Sequence, residues 1–145
     1  MSYSVDVNIL IYALNSDSEL HSKAASFVEH LAGSNETWAM PWPTVHAFLR
    51  ITTHTGILMK PLTPDSSWDA IGQIISLPQV RLIDENHEEF RDYYEHLTRS
   101  MHLRGNAIPD GHLAALLHVH GVSVFYSNDR DFLKFKGIKT INPLR

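Results

Sequence analysis

The sequence predicts an α/β fold: a three-layer sandwich with a central, mostly parallel sheet flanked by helices. Three observations lead there. Short β-prone runs alternate with stretches whose apolar residues recur at three- and four-residue steps. Strands separated by helices need crossover connections, which pair them in parallel and put helices on both faces. The 145 residues, 43% hydrophobic and 19% charged, are enough for one buried core. No repeat, low-complexity tract or long Gly/Ser linker interrupts them, so a single domain over residues 1–145 is expected.

Tyr3 to Val7 is a short β-prone run that leads directly into Ile9-Leu10-Ile11-Tyr12. Leu20, Ala24, Phe27, Val28 and Leu31 follow at helical intervals. Thr37 to Met40 reads as a strand stopped by Pro41 and Pro43, and Val45, Phe48, Leu49 and Thr52 mark the next helix. Pro64-Asp65-Ser66 starts a further helix through Trp68, Ile71, Ile74 and Ile75, with Pro78 just past its end. Val80 to Ile83 alternates as a strand does. Glu88 to Leu103 is expected to be a long surface helix with Phe90, Tyr94 and Leu97 inward. Pro109 to Val119 forms another, ended by Gly121 where a left-handed residue is often required. Val122 to Tyr126 is the clearest strand, and Lys139 to Asn142 the last extended piece.

Composition narrows the function. No apolar run approaches the ~20 residues that span a bilayer, and MSYSVDVNIL lacks the basic region of a secretory leader, so a cytoplasmic protein without membrane association is expected. With no cysteine there is neither a disulfide scaffold nor a thiolate metal site. A net charge of −4, histidines neutral, argues against broad electrostatic grip on nucleic acid but leaves room for a local basic patch.

In such sheets ligands bind beyond the carboxyl ends of the strands, where strand order reverses. Asp6 closes the first strand, Asp129 follows Val122–Tyr126 by three residues, and Asp110 sits in the first turn of its helix. Each has an ordinary alternative as a helix cap or dipole partner. Three carboxylates arriving at one end of a sheet repel one another unless a cation joins them. Mg²⁺ or Mn²⁺ suits that role, since it takes oxygen ligands and leaves positions for water and phosphate. The implied reaction is metal-dependent hydrolysis at phosphorus.

These residues also carry a resemblance. Ser4-Val5-Asp6-Val7-Asn8-Ile9-Leu10 resembles the opening D-x-N motif of PIN-domain proteins. Gly105-Asn106-Ala107-Ile108-Pro109-Asp110-Gly111-His112-Leu113-Ala114-Ala115-Leu116 resembles their G-N-x-x-x-D-A-H-L-A-A-L helix, and Ser127-Asn128-Asp129-Arg130-Asp131-Phe132 their S/T-x-D-R-D-F motif. The likeness spans nearly the whole chain and points to the VapC-type ribonuclease toxins of bacterial toxin–antitoxin pairs. It implies a PIN-like sandwich and an endoribonuclease that uses Mg²⁺ or Mn²⁺ and water rather than a covalent intermediate. By matching positions it implies an acidic cluster of Asp6, Asp110 and Asp129, catalytic and metal-binding, supported by Asn8 and Ser127. Asp131 is either a second acid of its motif or a loop residue bonding nearby backbone. A small cognate antitoxin and a homodimer are likewise implied.

One position departs from that pattern. Many such toxins carry Glu immediately before the Phe-Leu-Arg stretch; here it is Ala47, a form that resembles a subgroup with Ala-Phe-Leu-Arg. The alternative it raises is a catalytically weak PIN module that mainly binds an antitoxin or nucleic acid. Arg50 shares a helix face with Ala47 and either contacts RNA phosphate or forms a surface salt bridge. Arg104 and Lys134 are further candidates for RNA contact, with a solvated face as the alternative.

The remaining signals stay structural. The acidic stretch Asp84-Glu85, Glu88-Glu89 and Asp92 is expected to face away from RNA. Trp38, Trp42 and Trp68 sit inside apolar patterns and are expected in the core. None of the ten histidines falls in an H-E-x-x-H arrangement, and His46 and His112 read as packing residues. A phosphotransferase with Asp6 as nucleophile would want an acid two residues on, where Asn8 stands.

Overall fold

A computed structural model describes residues 3–145; Met1 and Ser2, with which the expected domain begins, lie outside the described residues. The elements run β1 (Tyr3–Val5), α1 (Val7–Leu14), α2 (His21–Ala32), β2 (Trp38–Pro41), α3 (Trp42–Thr52), α4 (Pro64–Ile75), β3 (Val80–Ile83), α5 (Phe90–Ser100), α6 (Ala107–Val119), β4 (Val124–Tyr126), a 3-10 turn (Arg130–Lys134) and β5 (Lys139–Ile141). The five strands form one sheet in the order β3-β2-β1-β4-β5, and every described pairing is parallel. Ser4 lies opposite both Ala39 and Phe125, so β1 is central. The chain builds outward from β1 to one side through β2 and β3, then returns to its other side with β4. Strand order therefore reverses at β1.

Both faces of the sheet are covered, and residue alternation shows it. Tyr3, Val5, Trp38 and Met40 pack into an apolar cluster with α1 to α4, which supply Ile9, Leu10, Val45, Phe48 and Ile71. Ala39 and Phe125 point the opposite way, into a second cluster with Leu116 and Leu117 of α6 and Phe132 of the 3-10 turn. Ser4 shares that opposite side of β1, and its buried hydroxyl donates to the Ala39 carbonyl at 2.7 Å. Among the described residues, no helix is long and apolar enough to cross a membrane.

Three boundaries differ from the sequence reading, each for a local reason. Strand β4 starts at Val124 rather than Val122, because Val122 still belongs to the turn that ends α6. Its amide donates to the Leu117 carbonyl (2.8 Å) and that of Gly121 to His118 (3.0 Å), with Gly121 at φ +75°. The same closure shortens α5: Leu103 donates to Thr98 (3.0 Å) around His102, whose φ is 51°. Pro41 does not stop β2 but ends it, paired opposite Ile83 with α3 beginning at the next residue.

Candidate active site

The carboxyl end of β1 delivers Asp6 and that of β4 delivers Ser127, side by side at the point of strand reversal. The Asp6 amide donates to the Tyr126 carbonyl at 2.9 Å, locking the two strand ends together. Asp6 occupies the N-cap position of α1, yet its side chain makes no capping hydrogen bond. Instead its Oδ2 accepts from the Ser127 hydroxyl at 2.5 Å. The Ser127 oxygen in turn accepts from the Asp129 amide at 2.9 Å, so one buried hydroxyl ties the first acidic motif to the last. The Asp129 carboxylate caps the following turn, its Oδ1 accepting from the Asp131 amide at 2.9 Å. The loop bond runs from Asp131 backbone to Asp129 side chain, the reverse of the direction considered for Asp131.

Burial pushes the Asp6 carboxyl above the ordinary aspartate range, and the neighbouring Asp129 charge adds to the rise. The Ser127 hydroxyl and the amides of Asn8 and Val7 pull the other way and do not outweigh burial. An ionised Asp6 thus lacks a sufficient counter-charge. Asp110, in the first turn of α6, has one: Lys134 Nζ lies 3.4 Å from its Oδ2, both side chains about one-third exposed. Lys134 also lies 5.4 Å from the Phe135 ring centroid, which steers it along the protein rather than outward.

Among the described residues, no three acidic or histidine side chains stand where one metal ion could be held by all of them. The donor chemistry nonetheless fits a hard divalent cation. It consists of a partly buried carboxylate with no cation paired to it among the described residues, a second carboxylate near it and a hydroxyl that bonds the first carboxylate and the second's backbone. Mg²⁺ is commonly held by one or two carboxylates, the rest being water and substrate phosphate.

Other expected contacts are spread along the same edge of the sheet. Arg50 is exposed on α3, on one face with Ala47, as the spacing required; Arg104 is exposed in the turn before α6. Two features escaped the sequence reading. Ser127, Asn128, Asp129, Arg130, Asn142 and Arg145 line part of a pocket of about 190 Å³ at the carboxyl end of β4 and β5. A separate groove of about 630 Å³ opens between α3 and α6. Trp42 lines it, 41% exposed, and Trp68 on α4 is 49% exposed, so only Trp38 joins the core as expected. Glu85, of the acidic stretch expected to face away from RNA, borders this groove and pairs with His112 at 2.8 Å. Trp42 and Trp68 carry apolar side chains on helix faces whose inward side is filled by other residues, which an apolar pattern alone does not reveal.

Comparison with known proteins accords with this architecture. The family model of the PIN domain matches residues 3–138. Ribonuclease VapC48 of Mycobacterium tuberculosis is 38% identical over 144 residues, covering 99% of this chain and 98% of the relative. VapC ribonuclease Mb2897 of Mycobacterium bovis is 27% identical over 140 residues, covering 97% and 94%. The crystal structure of VapBC2 from Rickettsia felis, bound to a promoter DNA fragment, aligns with a TM-score of 0.70 at 18% identity over 98% of both chains. VapBC-1 from nontypeable Haemophilus influenzae aligns at 0.69 and 14% identity over the full length of both. With the domain model matching all but a few residues and a full-length relative above one-third identity, this chain belongs to the PIN-domain family, in its VapC branch.

Proposed function

We propose that this protein is a metal-dependent endoribonuclease, hydrolysing RNA phosphodiester bonds with an activated water, and that it is the toxin of a toxin–antitoxin pair. The observation that carries the reading is the Ser127 hydroxyl joining Asp6 to the Asp129 loop where strand order reverses. The names of its relatives support RNA as substrate. A small antitoxin partner is supported by the solved complexes that share the fold, in which VapC-like chains are seen with VapB. A homodimer and a cytoplasmic location complete the proposal.

Asp6, Asp110 and Asp129 are the residues proposed to hold Mg²⁺ or Mn²⁺. The chemistry such a cation supplies is positive charge beside the phosphorus and added acidity in a nearby water. Burial serves the protein's part of the work: it keeps Asp6 poorly solvated, so that its charge is available to a cation rather than to bulk water. Ser127 fixes the Asp6 carboxylate and leaves its second oxygen to the site. Asn8, the second residue of α1, supports Asp6 through its backbone N–H. Asp110 must leave Lys134 to join the row, and the freed ammonium is then placed to meet a substrate phosphate. Asp131, Arg50 and Arg104 are proposed as lesser supports and RNA contacts.

The test is cleavage of single-stranded RNA with Mg²⁺ or Mn²⁺ by the natural protein, Asp6→Asn and Asp110→Asn. Each variant is expected to lose at least about 100-fold in rate, as befits a group acting in the transition state. Equal cutting by all three would overturn the assignment. The absence of a third converging acid among the described residues favours one alternative, a weak module impaired at Ala47. A large gain of cleavage in Ala47→Glu would support that alternative, and no gain would support the native trio.

A further inference from the structure

The stripe of α3 that faces away from the core holds Pro43, His46, Ala47 and Arg50, at the steps that align residues along one helix face. Opposite stand Pro109 and His112 of α6, with Glu85 beyond β3, and Trp42 forms the end of the groove. Pro109 immediately precedes Asp110, so the groove reaches the first turn of α6, which carries that acid. His112 is already oriented. Its Nε2 lies 2.8 Å from Glu85 Oε1, and its ring meets Phe90 edge-on at 5.7 Å and Tyr94 at 5.6 Å.

We propose that this groove binds one unpaired nucleobase of the RNA next to the phosphate being cut, stacked on Trp42. The proposal rests on the ribonuclease reading above and adds to it a place for the base. An indole face left 41% exposed beside a phosphate-cleaving site offers a stacking platform that any base can use. Arg50, exposed on the same wall, supplies a positive fork for the adjoining phosphate or base edge. The His112–Glu85 hydrogen bond presents a polar edge to the groove. Ala47 completes the argument. Its methyl group leaves the groove wall open and uncharged. Single-stranded RNA is favoured because a base held in a duplex cannot leave its stack to reach this wall.

Binding of a short fluorescent single-stranded oligoribonucleotide, without divalent cation, to protein carrying Asp6→Asn tests this. Adding Trp42→Ala is expected to weaken binding about tenfold or more, and Trp42→Phe to recover part of the loss. Trp68→Ala removes a comparably exposed indole on α4, away from the groove, and is expected to change nothing. Equal affinity of the Trp42→Ala and Trp68→Ala proteins would overturn the proposal. So would a shift from dimer to monomer in Trp42→Ala at unchanged RNA affinity, which would assign the wall to a second copy of the chain. Should the natural protein fail to cut RNA while Trp42 still governs its binding, the ribonuclease reading falls and the base site stands.

Discussion

Two of the acids proposed for the site, Asp6 and Asp110, are held in opposite ways. Asp6 is partly buried and held by a buried serine, with no cation paired to it among the described residues. Asp110 is about one-third exposed and paired with a lysine that solvent can reach. The first is fixed by strand pairing and cannot move without separating β1 from β4. The second rests on an ion pair of the kind that contributes little and yields readily. In the proposed metal site one acid is immobile and the other has to leave its lysine. Position is set at the first, and occupancy is contested at the second.

Three changes sharpen or break that contrast. The largest effect is expected from Ser127→Ala, which removes the bridge between the two motifs. Mg²⁺ affinity should fall about 10- to 100-fold by isothermal titration calorimetry, as for other residues that orient a metal ligand. Ser127→Thr keeps the hydroxyl and should keep most of the affinity. Unchanged affinity in Ser127→Ala would mean that Asp6 does not need its partner.

Next comes the stability of metal-free Asp6→Asn. Because burial raises the Asp6 pKa in the folded protein, ionisation favours the unfolded chain. The stability of the natural protein is therefore lost as pH rises from the unfolded aspartate's range, about 4, through the raised folded value. Asn at this site should raise the melting temperature at neutral pH, and the advantage should vanish in acid. A constant advantage at every pH would show that charge is not its cause. The smallest effect belongs to Lys134→Ala. It should change stability by less than about 1 kcal/mol in chemical denaturation, while Mg²⁺ binds slightly more tightly because Asp110 is no longer occupied. Weaker Mg²⁺ binding would contradict a competing role for the lysine.

How much of this was legible beforehand follows from which interactions are local. Strand β3 was read at its true bounds, Val80 to Ile83, because a short β-prone run bounded by Pro78 and Asp84 is written in the chain itself; the expected alternation is not found, since Val80 and Ile83 are buried and Arg81 and Leu82 exposed. The parallel sheet followed from the alternation of helices and strands. The end of α6 was read correctly at Val119, from Gly121 in the left-handed position, whereas that of α5 was less accessible: it closes through a six-residue turn around His102, and a histidine at φ 51° gives no compositional warning. The acidic motifs could be named from order and spacing, but the Ser127 bridge could not, since it links residues 121 positions apart. The Lys134–Asp110 pair and the groove at Trp42 arise the same way, from elements that meet only when the sheet is complete. An apolar helix pattern says that some face is buried. It does not say whether a tryptophan at the helix's first turn belongs to that face.

The pairing of β1 with β4 has a consequence for synthesis. Strand β4 leaves the ribosome some 120 residues after the strand it pairs with. A nascent chain that stops before Tyr126 lacks both the carbonyl that receives the Asp6 amide and the serine that holds its carboxylate. Whatever else has folded by then, the surroundings of Asp6 are completed late.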